Sequence, residues 1–106
     1  DGHDALHAGL HLHQVLVRIL GSNNVYYHPP VNLKISYPAI VYEKTQYWQA
    51  YADNLGYARI PQYRVTVISR MPDHPAIERI LDLRGSDYVS HFVSEGLHHD
   101  IIDIFQ

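Results

Sequence analysis

The sequence predicts one α+β domain, in which two helices pack on a single, mainly antiparallel sheet in the order α-β-β-β-α-β-β. Three observations predict this class. The chain has 106 residues, which is enough for one compact domain. Hydrophobic residues make up 46 % of it and charged residues 18 %, so it can form a core. Two segments show helical spacing of apolar residues and five show the composition of strands, with no repeat or linker. We therefore assign residues 1–106 to a single domain.

The first predicted element is an amphipathic helix within the first twenty residues. We expect it to begin between Asp4 and Leu10, with residues 1–9 fraying, and to end at Gly21. Its core-facing stripe follows the spacing i, i+3, i+4, i+7, i+8 and consists of Leu12, Val15, Leu16, Ile19 and Leu20.

Three predicted strands follow. Residues 25–27 form a short β-prone run before Pro29-Pro30, residues 39–44 form a second strand, and residues 62–70 alternate between two faces. Residues 45–59 show no clean period, and we predict a long β-hairpin loop, or arm, there. Loops of this length are uncommon unless they have a function.

A second helix and a final hairpin complete the predicted fold. Asp73 is the predicted N-cap, Pro75 lies in the first turn, and Gly85 ends the helix. Its predicted buried stripe is Ile77, Ile80 and Leu81. Two strands, residues 88–94 and 99–105, then meet around a turn at Glu95-Gly96.

Composition excludes several classes of function. The net charge is −3, from eleven acidic and eight basic residues, which argues against a protein that mainly neutralises phosphate. The chain has no cysteine, so disulfides, zinc–thiolate sites and thiol catalysis are excluded. Its apolar runs are far shorter than the roughly 20 residues of a membrane span. We expect no membrane partner.

The nine histidines are one of two compositional excesses. His3, His7 and His11 lie four residues apart, on the side of the first helix away from the apolar stripe, and they favour a solvated face. Metal binding by this row is the weaker alternative, because the glutamate of a zinc-protease helix is missing.

A second group of histidines lies near the final turn, together with Asp100. A two-residue turn would place His91 opposite Asp100, which could orient the ring as a base or, with His98 or His99, hold a metal. Ser90 and Ser94 lie on the other face of that strand, so the pair lacks a nucleophile. We favour a structural pair and predict no enzyme, no catalytic residue, no metal site and no cofactor. A small metal-dependent hydrolase stays the alternative.

Tyrosine is the second excess, also with nine residues. Aromatic residues concentrate in the predicted arm, and such residues are enriched at the centres of protein interfaces. A segment folded back on the sheet edge and a stacking platform for single-stranded nucleic acid around Trp48 are the alternatives. The candidate interface residues are Tyr47, Trp48, Tyr51, Asp53, Tyr57 and Arg59.

Four short motifs together resemble a known family. They are Y-P-A-I-V-Y (residues 37–42), Y-A-D-N (residues 51–54), Y-R-V-T-V-I (residues 63–68) and E-G-L-H-H-D-I-I (residues 95–102). With the order of elements from Leu12 to Phe105, they resemble the small tail-terminator or tail-completion proteins of long-tailed bacteriophages. The histidine-rich start and the final D-I-F-Q depart from the family.

This resemblance implies structural work in the virion neck. Members of the family form a ring, commonly a hexamer, that caps the tail tube at its head-proximal end and stops its growth. The implied partners are further copies of the chain, the tail tube protein and a head-proximal neck or connector protein. The implied location is the virion, after assembly in the host cytoplasm, with DNA passing through the ring without specific binding. Another head–tail joining component, such as a stopper, is the alternative.

Overall fold

The computed structural model describes the backbone of residues 2–51 and 57–106 and the side chains of residues 11–47 and 59–106. It confirms the predicted class and order of elements: two helices and a five-stranded mixed sheet. The elements are α1 (Gly2–Leu20), β1 (Val25–Tyr27), β2 (Ala39–Tyr51), β3 (Tyr57–Ser69), α2 (Pro75–Leu81), β4 (Ser86–Ser94) and β5 (Leu97–Phe105). Helix α1 thus begins earlier than predicted, at Gly2.

The strand order across the sheet is β1-β2-β3-β5-β4. Strand β1 is parallel to β2, and the other three neighbouring pairs are antiparallel. Strands β1 and β4 are therefore the two edges. The predicted turn between β4 and β5 is confirmed, because Glu95 and Gly96 both have positive φ, as a two-residue type I′ hairpin requires.

Both helices cover the same face of the sheet. The alternation predicted for β3 is confirmed, since Tyr63, Val65 and Val67 are buried against the helices while Arg64 and Thr66 are not. The buried core is formed by Leu12 and Leu16 of α1, Ala76, Ile77 and Ile80 of α2, and Val25, Ile40, Tyr42, Tyr63, Val65, Val67, Ile102 and Ile104 of the sheet. In the part of the chain that the structure describes, neither helix combines the length and apolarity needed to cross a bilayer.

The start of α2 differs from the prediction by one residue. His74, and not Asp73, is the N-cap, and its Nδ1 accepts a hydrogen bond of 3.1 Å from the backbone N–H of Ala76. Asp73 has a φ of 53° and belongs to the preceding turn. Pro75 is the first helical residue, as predicted.

The buried face and the end of α2 also differ from the prediction. Ala76 shares the buried stripe with Ile77 and Ile80, whereas Leu81 is 37 % exposed because it lies on the rim of that face. The helix ends before Asp82, so Gly85 is the last turn residue before β4 instead of the helix stop.

The prediction of a long loop over residues 45–59 is wrong for its described part. Residues 45–51 continue β2 and residues 57–59 begin β3, and the ladder runs from the pair Gln46–Gln62 to the pair Tyr51–Tyr57. A bulge at Thr45 shifts the register where this extension begins. Hydrogen bonds to the partner strand sustain the ladder here, and the apolar period of one strand does not reveal such bonds.

Candidate interaction surface

The far half of the β2–β3 hairpin has no third strand beside it among the described residues. Strand β1 pairs with β2 only at residues 40–42, and β5 pairs with β3 at residues 62–69, with Gln106 adding one bond from its N–H to the carbonyl of Pro61. Within the described residues, the outer edges of Glu43–Tyr51 and of Tyr57–Ile60 therefore carry no third strand, and Tyr57–Ile60 pairs only with β2, at Trp48–Tyr51. We call these two segments the distal ribbon.

All six predicted interface residues fall in or next to the distal ribbon. Tyr47 is 47 % exposed and Arg59 is exposed. Trp48 and Tyr51 lie in β2 and Tyr57 lies in β3, at ladder positions opposite Ile60, Tyr57 and Tyr51 respectively, but their side chains lie outside the described residues. Asp53 lies wholly outside the described residues.

Lys44, near the start of the distal ribbon, contacts two tyrosines. The Nζ of Lys44 donates a hydrogen bond of 2.9 Å to the hydroxyl of Tyr47 and lies 5.0 Å from the centre of that ring. The hydrogen bond to Tyr47 raises the pKa of Lys44, so the ammonium stays charged. The same Nζ lies 5.7 Å from the ring centre of Tyr63. Lys44 therefore joins the exposed ribbon to the core.

Part of the tyrosine excess belongs to the fold. The ring of Tyr42 lies 5.0 Å from that of Tyr27 and 6.3 Å from that of Tyr63. Its hydroxyl is 2.8 Å from Nδ1 of His13, which ties α1 to the sheet. Burial, followed by the neighbouring Tyr63 and Tyr27, raises the pKa of Tyr42 to about 12, so this hydroxyl stays protonated. This cluster was not predicted from the sequence; Tyr27 faces Tyr42 in the ladder, and Tyr63 lies two residues from Val65, the residue of β3 that faces Tyr42.

The predicted His91–Asp100 contact is wrong, although the register behind it is confirmed. The two residues are opposite each other in the ladder. Asp100, however, accepts a hydrogen bond of 2.6 Å from the hydroxyl of Tyr88, and this bond raises the pKa of Tyr88 to about 12. His91 instead stacks on His98, with Nε2 3.1 Å from Nδ1. A bulge at Val89 changes the β4 register between Tyr88 and His91, an irregularity that the pattern of apolar residues did not indicate.

His99 does not join this group. It follows His98 in β5 and therefore lies on the opposite face, where its ring stacks on Phe92 with the ring centres 4.4 Å apart. Its Nδ1 lies 3.1 Å from the carbonyl oxygen of Leu97. Among the described residues, no three histidine, aspartate or glutamate side chains are close enough to share a metal ion. His91, His98, His99 and Asp100 thus do not form the cluster of the hydrolase alternative.

The histidines at the start of the chain are separate from this region. His11 is exposed, which agrees with the predicted solvated face of α1, whereas the side chains of His3 and His7 lie outside the described residues. A surface depression of about 510 Å³ at the start of α2 is lined by Asp73, His74, Pro75, Ile77, Glu78 and Leu81. The ring nitrogen of His74 is already used as the helix cap.

The exposed apolar surface of edge strand β4 was not predicted from the sequence. Four of its nine residues are large, apolar and exposed: Tyr88, Val89, Phe92 and Val93, with exposed fractions of 42 to 53 %. It contains no lysine, arginine or proline. The sequence does contain a signal for this surface. Two pairs of consecutive apolar residues, 88–89 and 92–93, place apolar side chains on both faces of β4. Lysine and proline often protect natural edge strands of this length, and β4 lacks both; the protecting feature that it does carry is its bulge at Val89.

The described residues form a small α+β protein in which two helices cover one face of a five-stranded mixed sheet with an apolar, exposed edge strand. Comparison with protein-family models, with curated proteins and with solved structures finds no match.

Proposed function

We propose that this chain is the subunit of a tail-terminator ring in the neck of a long-tailed bacteriophage. Copies assemble head to tail into a closed ring of about six subunits, as heterologous contacts allow when their rotation closes. The ring caps the head-proximal end of the tail tube and offers its other side to a neck or connector protein. It is assembled in the host cytoplasm and retained in the virion.

The distal ribbon is the observation that carries this proposal. A two-stranded ribbon is marginally stable in water on its own, because it has neither a third strand nor a packed face. Here it continues for six ladder pairs, from Gln46–Gln62 to Tyr51–Tyr57, beyond the part of the sheet that the helices cover. In our proposal it projects as an arm and becomes stable when a neighbouring subunit covers it.

The side chains of the ribbon support a protein contact. Its sequence contains Tyr47, Trp48, Tyr51 and Tyr57, the residue types that dominate the centres of interfaces. Lys44 bonds to Tyr47, and Arg59 is the other basic residue of the segment. Two basic residues in a chain of net charge −3 favour a protein surface over a nucleic-acid backbone.

The net charge also agrees with a ring through which DNA passes. A channel wall that held phosphates would stop the DNA, whereas an acidic or neutral wall lets it slide. We propose that the acidic side chains are more frequent on the channel side of the ring than on its outside. An assembled ring with a basic channel would contradict this part of the proposal.

A shortened hairpin tests the proposal. Replacing residues 47–61 with Asn-Gly leaves Gln46 opposite Gln62, a register that a type I′ turn can close. We expect this variant to keep the free energy of unfolding within about 1 kcal/mol, because no ribbon residue with a described side chain belongs to the buried core. It should stay monomeric and should not bind the ends of tail tubes assembled from the cognate tube protein. The full chain should form rings that sit at one end of each tube, as seen by negative-stain microscopy. Rings of the shortened variant would contradict the role of the ribbon.

A further inference from the structure

We propose that the outer edge of β4 in one subunit pairs with the outer edge of β2, at Glu43–Tyr51, in the next subunit. This inference rests on the proposed function, because it specifies the contact that closes the ring. The neighbouring copy would add its ribbon to the sheet as a further strand, which is the geometry of β-strand addition.

Two of the free strand edges, those of β1 and of β3, are poorly suited to pairing with another strand. Strand β1 has only three residues and is followed by Pro29-Pro30, so it offers a short edge. The outer edge of β3 contains Pro61, whose carbonyl accepts the N–H of Gln106. Because the nitrogen and carbonyl of a strand residue point to the same side, the nitrogen of Pro61 faces outwards and offers no donor.

The two remaining edges match each other. Strand β4 has nine residues with a bulge at Val89, and the free edge of β2 from Glu43 to Tyr51 spans nine with a bulge at Thr45. The regular stretches beyond the bulges are Ser90–Ser94 and Gln46–Tyr51, of five and six residues. Neither contains a proline. Lys44, the lysine within the β2 edge, donates a hydrogen bond from its ammonium to the hydroxyl of the exposed Tyr47 in the same strand. Both edges can therefore accept a further strand.

The topology places these edges for a head-to-tail contact. In the order β1-β2-β3-β5-β4, the free edge of β2 lies towards one side of the sheet and β4 forms the other side. A ring needs two different patches that face away from each other on each subunit. Symmetric pairing of β4 with β4 would give a closed dimer and would leave the β2 edge exposed, so the heterologous contact is favoured.

The chemistry of β4 fits an added strand on both faces. Val93 and His91 lie on the face towards the helices, whereas Phe92 lies on the other face beside His99. A two-residue turn makes Ser94–Leu97 a hydrogen-bonded pair, so the N–H and carbonyl of Val93 point to the free edge. A neighbouring strand would satisfy these groups and cover Val93, which is 53 % exposed.

Cross-linking tests this contact cleanly, because the chain has no cysteine. The variants are Val93→Cys in β4, Gln46→Cys in β2 and the double variant. A bis-maleimide that spans about 10 Å tolerates a register error of roughly three residues. We expect the double variant to give a ladder of covalent multimers, whereas neither single variant gives multimers. Thiols held together in an assembly have effective concentrations near millimolar, so the reaction should be on the order of 100-fold faster than at 10 μM free protein.

The matched control pairs Val93→Cys with Val31→Cys, since Val31 is fully exposed but lies outside every strand. This pair should give no ladder. Dimers of the single Val93→Cys variant would show β4–β4 pairing and overturn the inference. Absence of a ladder in a protein whose native mass is oligomeric would also overturn it, while leaving the ring intact. A monomeric native mass would instead overturn the proposed function itself.

A proline variant tests the backbone part of the contact. Val93→Pro removes the outward N–H without removing a bond of the β4–β5 ladder, and Val93→Thr keeps it. We expect Val93→Pro to lose assembly and Val93→Thr to retain it, with both variants folded as judged by circular dichroism. Assembly of a folded Val93→Pro variant would contradict strand addition at β4. If that variant does not fold, the cross-linking result decides alone.

Discussion

The hydroxyl of Tyr88 donates a hydrogen bond of 2.6 Å to the carboxylate of Asp100, which is only 5 % exposed. This bond joins edge strand β4 to β5 and satisfies a buried charge. Removing the donor from a buried carboxylate costs far more free energy than removing an exposed hydrogen bond, because water cannot replace the donor at a buried site. Asp100 therefore has the structural role that we predicted, but its partner is Tyr88 and not His91.

We expect Tyr88→Phe to lower the free energy of unfolding by about 1–3 kcal/mol, the usual cost of leaving a buried polar group without its donor. The control is His91→Ala, which removes the partner that the sequence predicted; it should change stability by less than about 0.5 kcal/mol. Urea unfolding of both variants measures the difference. Equal effects would show that the Tyr88–Asp100 bond does not carry this stability.

The N-cap of α2 makes stability depend on pH. Burial, and then the positive charge of Arg79, lower the pKa of His74 below its ordinary value of 6.5, and the neutral ring accepts the N–H of Ala76. The unfolded chain therefore binds a proton at a higher pH than the folded chain does. The contribution of His74 is fully present above about pH 6.5 and is lost as the pH falls.

His74→Asn separates this group from the other histidines, because asparagine caps helices without titrating. We expect its stability to equal that of the parent chain within about 0.5 kcal/mol near pH 7.5, and to decline less on going to about pH 5. Urea unfolding at both pH values gives the comparison. An unchanged decline would show that His74 does not contribute to the acid sensitivity.

Alanine substitutions at two glycines with nearly equal φ values allow the cost of a left-handed backbone to be measured apart from the cost of a steric clash. Gly85 and Gly21 have φ of +83° and +81°, but a Cβ on Gly85 would lie 2.5 Å from the carbonyl oxygen of Phe105, whereas one on Gly21 would meet open space. We expect Gly21→Ala to cost about 1 kcal/mol from the left-handed backbone alone. Gly85→Ala should cost at least about 2 kcal/mol, since β5 must also move. Thermal unfolding of the two variants tests this order, and similar losses would contradict it.

The turn between β4 and β5 can be improved. Glu95 has a φ of 52°, which asparagine adopts more readily than glutamate does. We expect Glu95→Asn to raise the free energy of unfolding by about 0.5 kcal/mol. Glu95→Val should lower it, because β-branched residues are disfavoured at positive φ. The prediction is wrong if urea unfolding ranks the two variants in the opposite order.

The sequence predicted most of the fold where one face of an element is buried. The stripe of Leu12 and Leu16 and the alternation of Tyr63, Val65 and Val67 result directly from burial, so the buried faces of α1 and β3 were predicted correctly, although both elements begin earlier than predicted. The described backbone of the distal ribbon is defined by its ladder of paired residues, and the sequence there shows no apolar period that would reveal this pairing. A loop was predicted there for this physical reason.

The site was harder to predict than the fold, because local irregularities decide it. The turn at Glu95-Gly96 gave the correct pairing of His91 with Asp100, but the bulge at Val89 let Tyr88 reach the carboxylate first. Edge strand β4 was missed since its exposure depends on its place in the sheet order. That order follows from the packing of all five strands and cannot be deduced from the nine residues of β4 alone.

The native mass of the full chain tests the central claim, that this protein works as a self-assembling ring subunit. Sedimentation velocity over a range of protein concentrations measures it without a label or a partner. We predict one discrete species of about six subunits, each of 12.2 kDa, which gives closed rings in the electron microscope. A single 12.2 kDa monomer at every concentration would contradict the claim.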